Sequence, residues 1–327
     1  MRALIDVIEA EGFGPVRHIL HVGIGGSALG PDLLMDALGR DAGRYDVAIV
    51  SNVDGCALEE AVKRFDPQAT LLAVASKTFT TTETMLNAAS AIEWMTEGGV
   101  EDPYGKVIAL TASPDKAIEW GVDETRILPF SETVGGRYSL WSSIGFPAAI
   151  GLGWDAFESL LEGAAAMDRH FRLAAPHENA PLIAAFVDQY YARVMGCETR
   201  GVFAYDERLR LLPSYLQQLE MESNGKCVRA DGSAVDGHTA PITWGGVGTD
   251  AQHAVVPAAA SGYAYRAGRV FWPARSRDMG STPRITGCSS PTALRRAQPS
   301  CAGATTRPIR RAPIRAGGLR APYCSMT

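Results

Sequence analysis

Short runs rich in β-branched and apolar residues recur early in this chain, at residues 18–22, 47–50, 70–75 and 106–111, separated by stretches with helical spacing. Apolar runs of four to six residues joined by helices are the pattern of crossover units on a parallel sheet covered on both faces. The sequence therefore predicts an α/β fold. Residues 31–38 open with Pro31, run to Leu38 and stop at Gly39, which predicts a helix after the first strand. Residues 155–173 place Phe157, Leu160, Leu161 and Ala164 at helical spacing, and residues 181–195 repeat the pattern before Gly196. A strand at residues 201–205 and a helix from near Pro213 follow. The glycines and proline clustered at residues 131–153 suggest a boundary between two units.

Charge divides the chain differently. Residues 1–254 hold 19 Lys and Arg against 35 Asp and Glu, a net of −16; residues 255–327 hold 12 Arg, no Lys and the single acid Asp278, a net of +11. The modest total of −5 hides two unlike polypeptides. No run of about 18 apolar residues occurs, and acids stand near the N-terminus where a signal peptide needs bases, so a soluble, cytoplasmic protein with no membrane partner is expected. Six scattered cysteines form no C-x-x-C pair, which argues against a zinc site or a disulfide framework. No metal is expected.

Five segments carry the chemistry. Gly23-Ile24-Gly25-Gly26-Ser27 lies between a strand and a helix, where glycines turn the backbone sharply and expose N–H groups to an anion. A tight turn without ligand, or the relaxed dinucleotide fingerprint Gly23-x-Gly25-x-x-Ala28, would read the same way. The segment from Ser76 through Lys77, Thr78 and Thr81 to Thr84 packs six hydroxyls and a cation behind another strand. In a parallel sheet both loops emerge at the carboxyl edge, so a small phosphorylated metabolite gripped from two sides fits better than a dinucleotide. Helix capping is the plainer role for Thr81 or Thr82 alone.

Arg137 stands between Gly136 and Tyr138, where it can approach a ligand closely or serve as an ordinary surface residue. Gln218, Glu220 and Glu222 precede Gly225 at the end of a helix, the unfavourable end for negative charge. A carboxylate there suits a general base, or is a solvated helix acid. His253 follows what reads as a glycine-rich turn at residues 244–248; it could act as acid or base, or be structural.

Taken in order, the strings G-I-G-G-S, S-K-T-F-T-T, G-G-R-Y-S-L-W-S, M-E-S-N-G-K and Q-H-A resemble the glucose-6-phosphate isomerase (phosphoglucose isomerase) family. The resemblance implies two sugar-isomerase domains, each a three-layer αβα sandwich on a parallel sheet, forming a homodimer without a cofactor. It implies interconversion of glucose 6-phosphate and fructose 6-phosphate, in glycolysis and gluconeogenesis, through a cis-enediolate. Ser76, Lys77, Thr78 and Thr81 would hold the phosphate, with Ser27 and the Gly26 backbone nearby. Glu222 would move the proton between C1 and C2, and Arg137 would stabilise the enediolate. His253 would help open the sugar ring, and Gln218 would contact substrate.

Ala28, Thr82 and residues 246–251 depart modestly from the family pattern. Relatives also begin well before the first strand and continue beyond His253, to a lysine and a glutamine that enter the site. On this basis the chain divides into a first domain at residues 1–135, an incomplete second domain at 136–254, and a tail at 255–327. One choice of codons for residues 256–262, read a base later, encodes Phe-Gln-Leu-Leu-His-Gln, which resembles the family's continuation. A frame change near codon 255 would make the tail poorly ordered and give its +11 charge no meaning for nucleic acid. Impaired activity is then expected. A non-catalytic sugar-phosphate-binding module and a nicotinamide-dependent oxidoreductase are the competing functions.

Overall fold

The computed structural model describes residues 1–40, 43–237 and 239–254, all within one compact unit. Its helices in chain order are α1 (Arg2–Glu9), α2 (Leu29–Leu38), α3 (Gly55–Val62), α4 (Thr82–Glu97), α5 (Pro114–Glu119), α6 (Phe146–Leu152), α7 (Trp154–Leu173), α8 (Ala180–Gln189), α9 (Leu212–Asn224) and α10 (Gly248–Ala254). The strands are β1 (His18–Gly23), β2 (Asp46–Val50), β3 (Thr70–Ala75), β4 (Val107–Thr111), β5 (Ile127–Pro129), β6 (Thr199–Ala204) and β7 (Ile242–Val247). The basic segment at residues 255–327, and with it the expected change of frame, lies outside the described residues.

Five parallel strands form the main sheet in the order β2-β1-β3-β4-β5. Every residue of β1, β3 and β4 is buried, as continuous apolar runs demand when helices cover both faces. On one face Ile19, Leu71, Ile108 and Leu110 pack with Ile5 and Ile8 of α1, Leu34 of α2 and Phe146 and Ile150 of α6. On the other, Leu20, Leu72 and Val74 meet Leu58 of α3 and Ala88, Ala91 and Met95 of α4. The three-layer αβα sandwich is therefore present. Because β2 and β3 flank β1 on opposite sides, the chain reverses its direction of travel across the sheet at β1 and β3. The carboxyl ends of those two strands form the crevice where open α/β sheets bind ligands.

The second sheet has two described strands, β6 and β7, paired in parallel from Thr199 with Ile242 to Ala204 with Val247. Helix α9 packs on them, tied by Gln217 Nε2 donating to the Thr243 carbonyl at 3.0 Å. Arg200, buried in β6, pairs with Asp188 at 3.0 Å and with Glu220 of α9 at 3.3 Å, and its Nη2 donates to Thr243 Oγ1. Residues 146–157, beyond the glycine cluster, pack into the first sheet's core through Phe146, Ala149, Ile150 and Phe157.

One expectation needs correction. The glycine-rich stretch before His253 is strand β7, not a turn. Gly245 is there because a Cβ would collide with the Val202 carbonyl on β6. Residues 181–195 are helical as expected, but α8 gives way to a wider π turn at Tyr190–Val194 before Gly196.

Candidate active site

The first glycine turn sits where β1 ends. Gly25 takes a φ of +56°, a conformation that favours glycine, and Gln218 Nε2 lies 2.9 Å from where its Cβ would be. Gly26 rests against the backbone of Gly136 and Arg137 so closely that any Cβ would overlap them. Ser27 folds back over the last rung between β1 and β3: its Cβ lies 3.0 Å from the Cβ position at Gly23, which pairs with Ala75. The glycines thus bring three segments of the chain to one point.

Ser76 follows Ala75 directly, so the second loop begins beside the first. Ser76 is buried, and its hydroxyl lies 3.0 Å from Thr81 Oγ1. Thr81 occupies the N-cap position of α4, yet its side chain makes no capping bond. The hydroxyl faces Ser76 instead, which leaves the first amides of a 16-residue helix for another acceptor. Phe79 takes a φ of +53°, an unusual conformation for a bulky residue, and buries its ring edge-on to Trp120. This anchor turns Thr78 and Thr80 outward, where Thr80 Oγ1 donates to Thr78 Oγ1 at 2.8 Å. The Lys77 carbonyl is fixed by the Ala112 amide at 3.0 Å and the Thr111 hydroxyl at 3.1 Å. The half-buried Lys77 side chain adds a cation to this row of hydroxyls.

The third and fourth segments meet above the first. Arg137, on the 3-10 turn Gly136–Trp141, places Nη1 2.8 Å from Glu222 Oε1 and donates from Nε to Ser223 Oγ at 2.6 Å. Its guanidinium carbon also lies 4.8 Å from the centre of the Tyr138 ring. Tyr138 Oη is 2.6 Å from the same Ser223 hydroxyl, and that contact, with Arg137, holds the phenol below its ordinary pKa. The Arg137 side chain is only 18% exposed, whereas the Glu222 side chain is 49% exposed and open to a ligand. Gln218, one turn earlier on α9, shares that face. Glu220 points the other way, to Arg200. The structure so separates two acids that helix position alone left equivalent.

Gly26, Ser27, Arg137, Gln218 and Glu222 are therefore contiguous, with Ser76, Lys77, Thr78 and Thr81 on the adjoining strand end. His253 is exposed on α10, which packs against β6 and β7 of the second sheet. Tyr138 and Ser223 lie inside the sequence motifs, but only their contacts with Arg137 and with each other give them a task. Among the described residues, no group of three or more His, Cys, Asp or Glu is arranged to hold a metal ion.

A doubly covered parallel sheet with hydroxyl-rich and glycine-rich loops at its switch point defines an α/β protein of the sugar-isomerase fold. The phosphoglucose isomerase family profile matches residues 1–261, and the chain belongs to that family. Glucose-6-phosphate isomerase from Rhizorhabdus wittichii is 81% identical over 255 residues, covering 78% of this chain and 51% of that one. The enzyme of the same name from Zymomonas mobilis is 71% identical, with 78% and 50% covered. The crystal structure of a glucose-6-phosphate isomerase from Chlamydia trachomatis superposes with a TM-score of 0.71 at 30% identity, over 78% of this chain and 49% of the other. The chain spans about half the length of the relatives it matches.

Proposed function

We propose that this chain carries the site of a glucose-6-phosphate isomerase, an aldose-ketose isomerase acting on glucose 6-phosphate and fructose 6-phosphate. The single observation that carries the reading is the pair of Arg137 and Glu222, with Gln218 one turn away and the hydroxyl loop beside it. Isomerisation between C1 and C2 requires removal of a proton alpha to a carbonyl, and charge then develops on the oxygen. Glu222 is the half-exposed carboxylate able to take that proton. Arg137, held by Ser223 and the Tyr138 ring, is the cation fixed in advance for the enediolate. Ser76, Lys77, Thr78 and Thr81, with Ser27 and the Gly26 backbone, grip the phosphate and so orient C1 and C2. His253 opens the ring, with no cofactor needed, in a cytoplasmic homodimer.

Residues 1–135 and 136–254 are read as two sugar-isomerase domains, the second contributing α9 to the site of the first. A coupled assay of fructose 6-phosphate conversion by the purified chain tests the function. Turnover that disappears in Glu222→Gln supports it, and equal turnover in both removes Glu222 from its role.

Sugar-phosphate binding without turnover is the second reading, favoured by the hydroxyl loop, which can hold a phosphate without Glu222. Calorimetric binding of fructose 6-phosphate with no conversion would select it.

A further inference from the structure

His21 lies in the middle of β1, fully buried, between Ile49 of β2 and Ala73 of β3. Its Nε2 is 2.8 Å from the Ser27 carbonyl, while Nδ1 is buried with no partner. A carbonyl can only accept, so Nε2 carries the proton and Nδ1 keeps an unused lone pair. Burial lowers the pKa of this imidazole to about 4, so it is neutral near pH 7 with one N–H to give. A leucine would fill the same space without burying a lone polar atom. What histidine adds is the single bond to Ser27.

That bond answers a specific deficit. Ala28, the residue before α2, is already in the right-handed helical region, and its carbonyl accepts the first helical bond from the Asp32 amide at 2.9 Å. By the same register the Ser27 carbonyl belongs to the amide of residue 31. Residue 31 is Pro31, which has no N–H. Proline starts the helix cleanly but leaves the last carbonyl of the glycine turn without its donor.

We propose that His21 is a positioning residue for the phosphate loop, supplying from beneath the sheet edge the hydrogen bond to Ser27 that Pro31 withholds. The bond fixes the peptide that ends the turn, and with it the Ser27 hydroxyl and the Gly26 backbone that face the ligand. The inference rests on the phosphate-binding reading of this site, and the experiment separates the two.

The purified full chain is titrated calorimetrically with inorganic phosphate and with fructose 6-phosphate, beside His21→Leu, His21→Gln, Pro31→Ala and the double variant His21→Leu with Pro31→Ala. Loss of one buried donor predicts about tenfold weaker binding in His21→Leu. His21→Gln recovers part of it, and the double variant recovers most, because residue 31 then has an amide to offer. A purely packing role would not be rescued at residue 31. Amide exchange at residues 25–28 follows the same order: faster in His21→Leu, slow again in the double variant.

Weakened binding in Ser76→Ala alongside unchanged binding and exchange in His21→Leu would overturn the proposal while leaving the phosphate reading intact. If the parent chain binds neither probe, the phosphate reading fails, and amide exchange decides the role of His21 alone. If His21→Leu does not fold, the nitrogen-15 spectrum of the parent imidazole decides: protonation at Nε2 supports the proposal, and protonation at Nδ1 overturns it.

Discussion

The two sheets contribute to one site by different means. The five-stranded sheet is closed on both faces, and its switch-point loops are shaped by sterics: glycines with no room for a Cβ, an inward Phe79, a histidine beneath Ser27. The two-stranded sheet leaves Ile242 54% exposed. Its grip on α9 is polar, through Arg200, Glu220, Gln217 and Thr243. The hydroxyl-loop side of the site therefore stands on a packed core, and the carboxylate side is held by Tyr215 of α9 against that core and by directional bonds to the second sheet. Glu222 is consequently the part of the site whose position depends most on polar contacts, and Arg137 is the bridge from the rigid side to it.

The sharpest way to break this contrast is Arg200→Ala. Removing the buried cation of this network takes away the charge partner of two partly buried carboxylates and costs about 3 kcal/mol. The loss should fall on the second sheet: amide exchange should accelerate across α9 and β6 while β1 and β3 stay protected. Equal acceleration in both sheets would show that they are one cooperative unit.

Next in size is a pair of core truncations. Leu72→Ala, in β3 with no exposed surface, should lower unfolding free energy by about 2–5 kcal/mol. Ile242→Ala, on the half-open β7, should change it by about 0.5 kcal/mol or less. Urea denaturation of the two variants measures both.

How far the sequence revealed this arrangement follows the same division. The run at residues 70–75 became β3 residue for residue, because a strand buried on both faces needs an unbroken apolar string. Strand β7 was hidden because Gly245 and Gly246 have the composition of a turn, and only the nearness of Val202 explains the glycine. Among site residues, Arg137, Glu222 and the hydroxyl loop were legible from their motifs. The residues alone left Glu220 and Glu222 open and the resemblance pointed to Glu222; Arg200, from a strand twenty residues earlier, engages Glu220. Ser223 and His21 were invisible as site residues because their partners, Arg137 and the Ser27 carbonyl, are defined only once the turns are folded.

Acid titration sharpens the comparison from the other side. Burial holds His21 at about 4, below its ordinary 6.5, so the unfolded chain binds the proton more readily. Stability from this group is present above pH 6.5 and is lost progressively as pH falls toward 4, by about 3 kcal/mol. His21→Leu should flatten that part of the stability curve, measured by urea denaturation at each pH. A further small effect belongs to α2, where the partly exposed Arg210 and Arg40 both reach Asp36 at 2.9 Å. Asp36→Asn should cost about 1 kcal/mol or less and shrink further in high salt.

Glu222 is proposed to take a proton alpha to the sugar carbonyl while Arg137 stabilises the charge. Proton NMR of fructose 6-phosphate incubated with the chain in deuterated water tests it most directly, because it detects abstraction even when net conversion is slow. The expected result is deuterium at C1 with the parent chain, reduced at least a hundredfold by Glu222→Gln. Deuterium incorporated equally by both proteins would contradict the account.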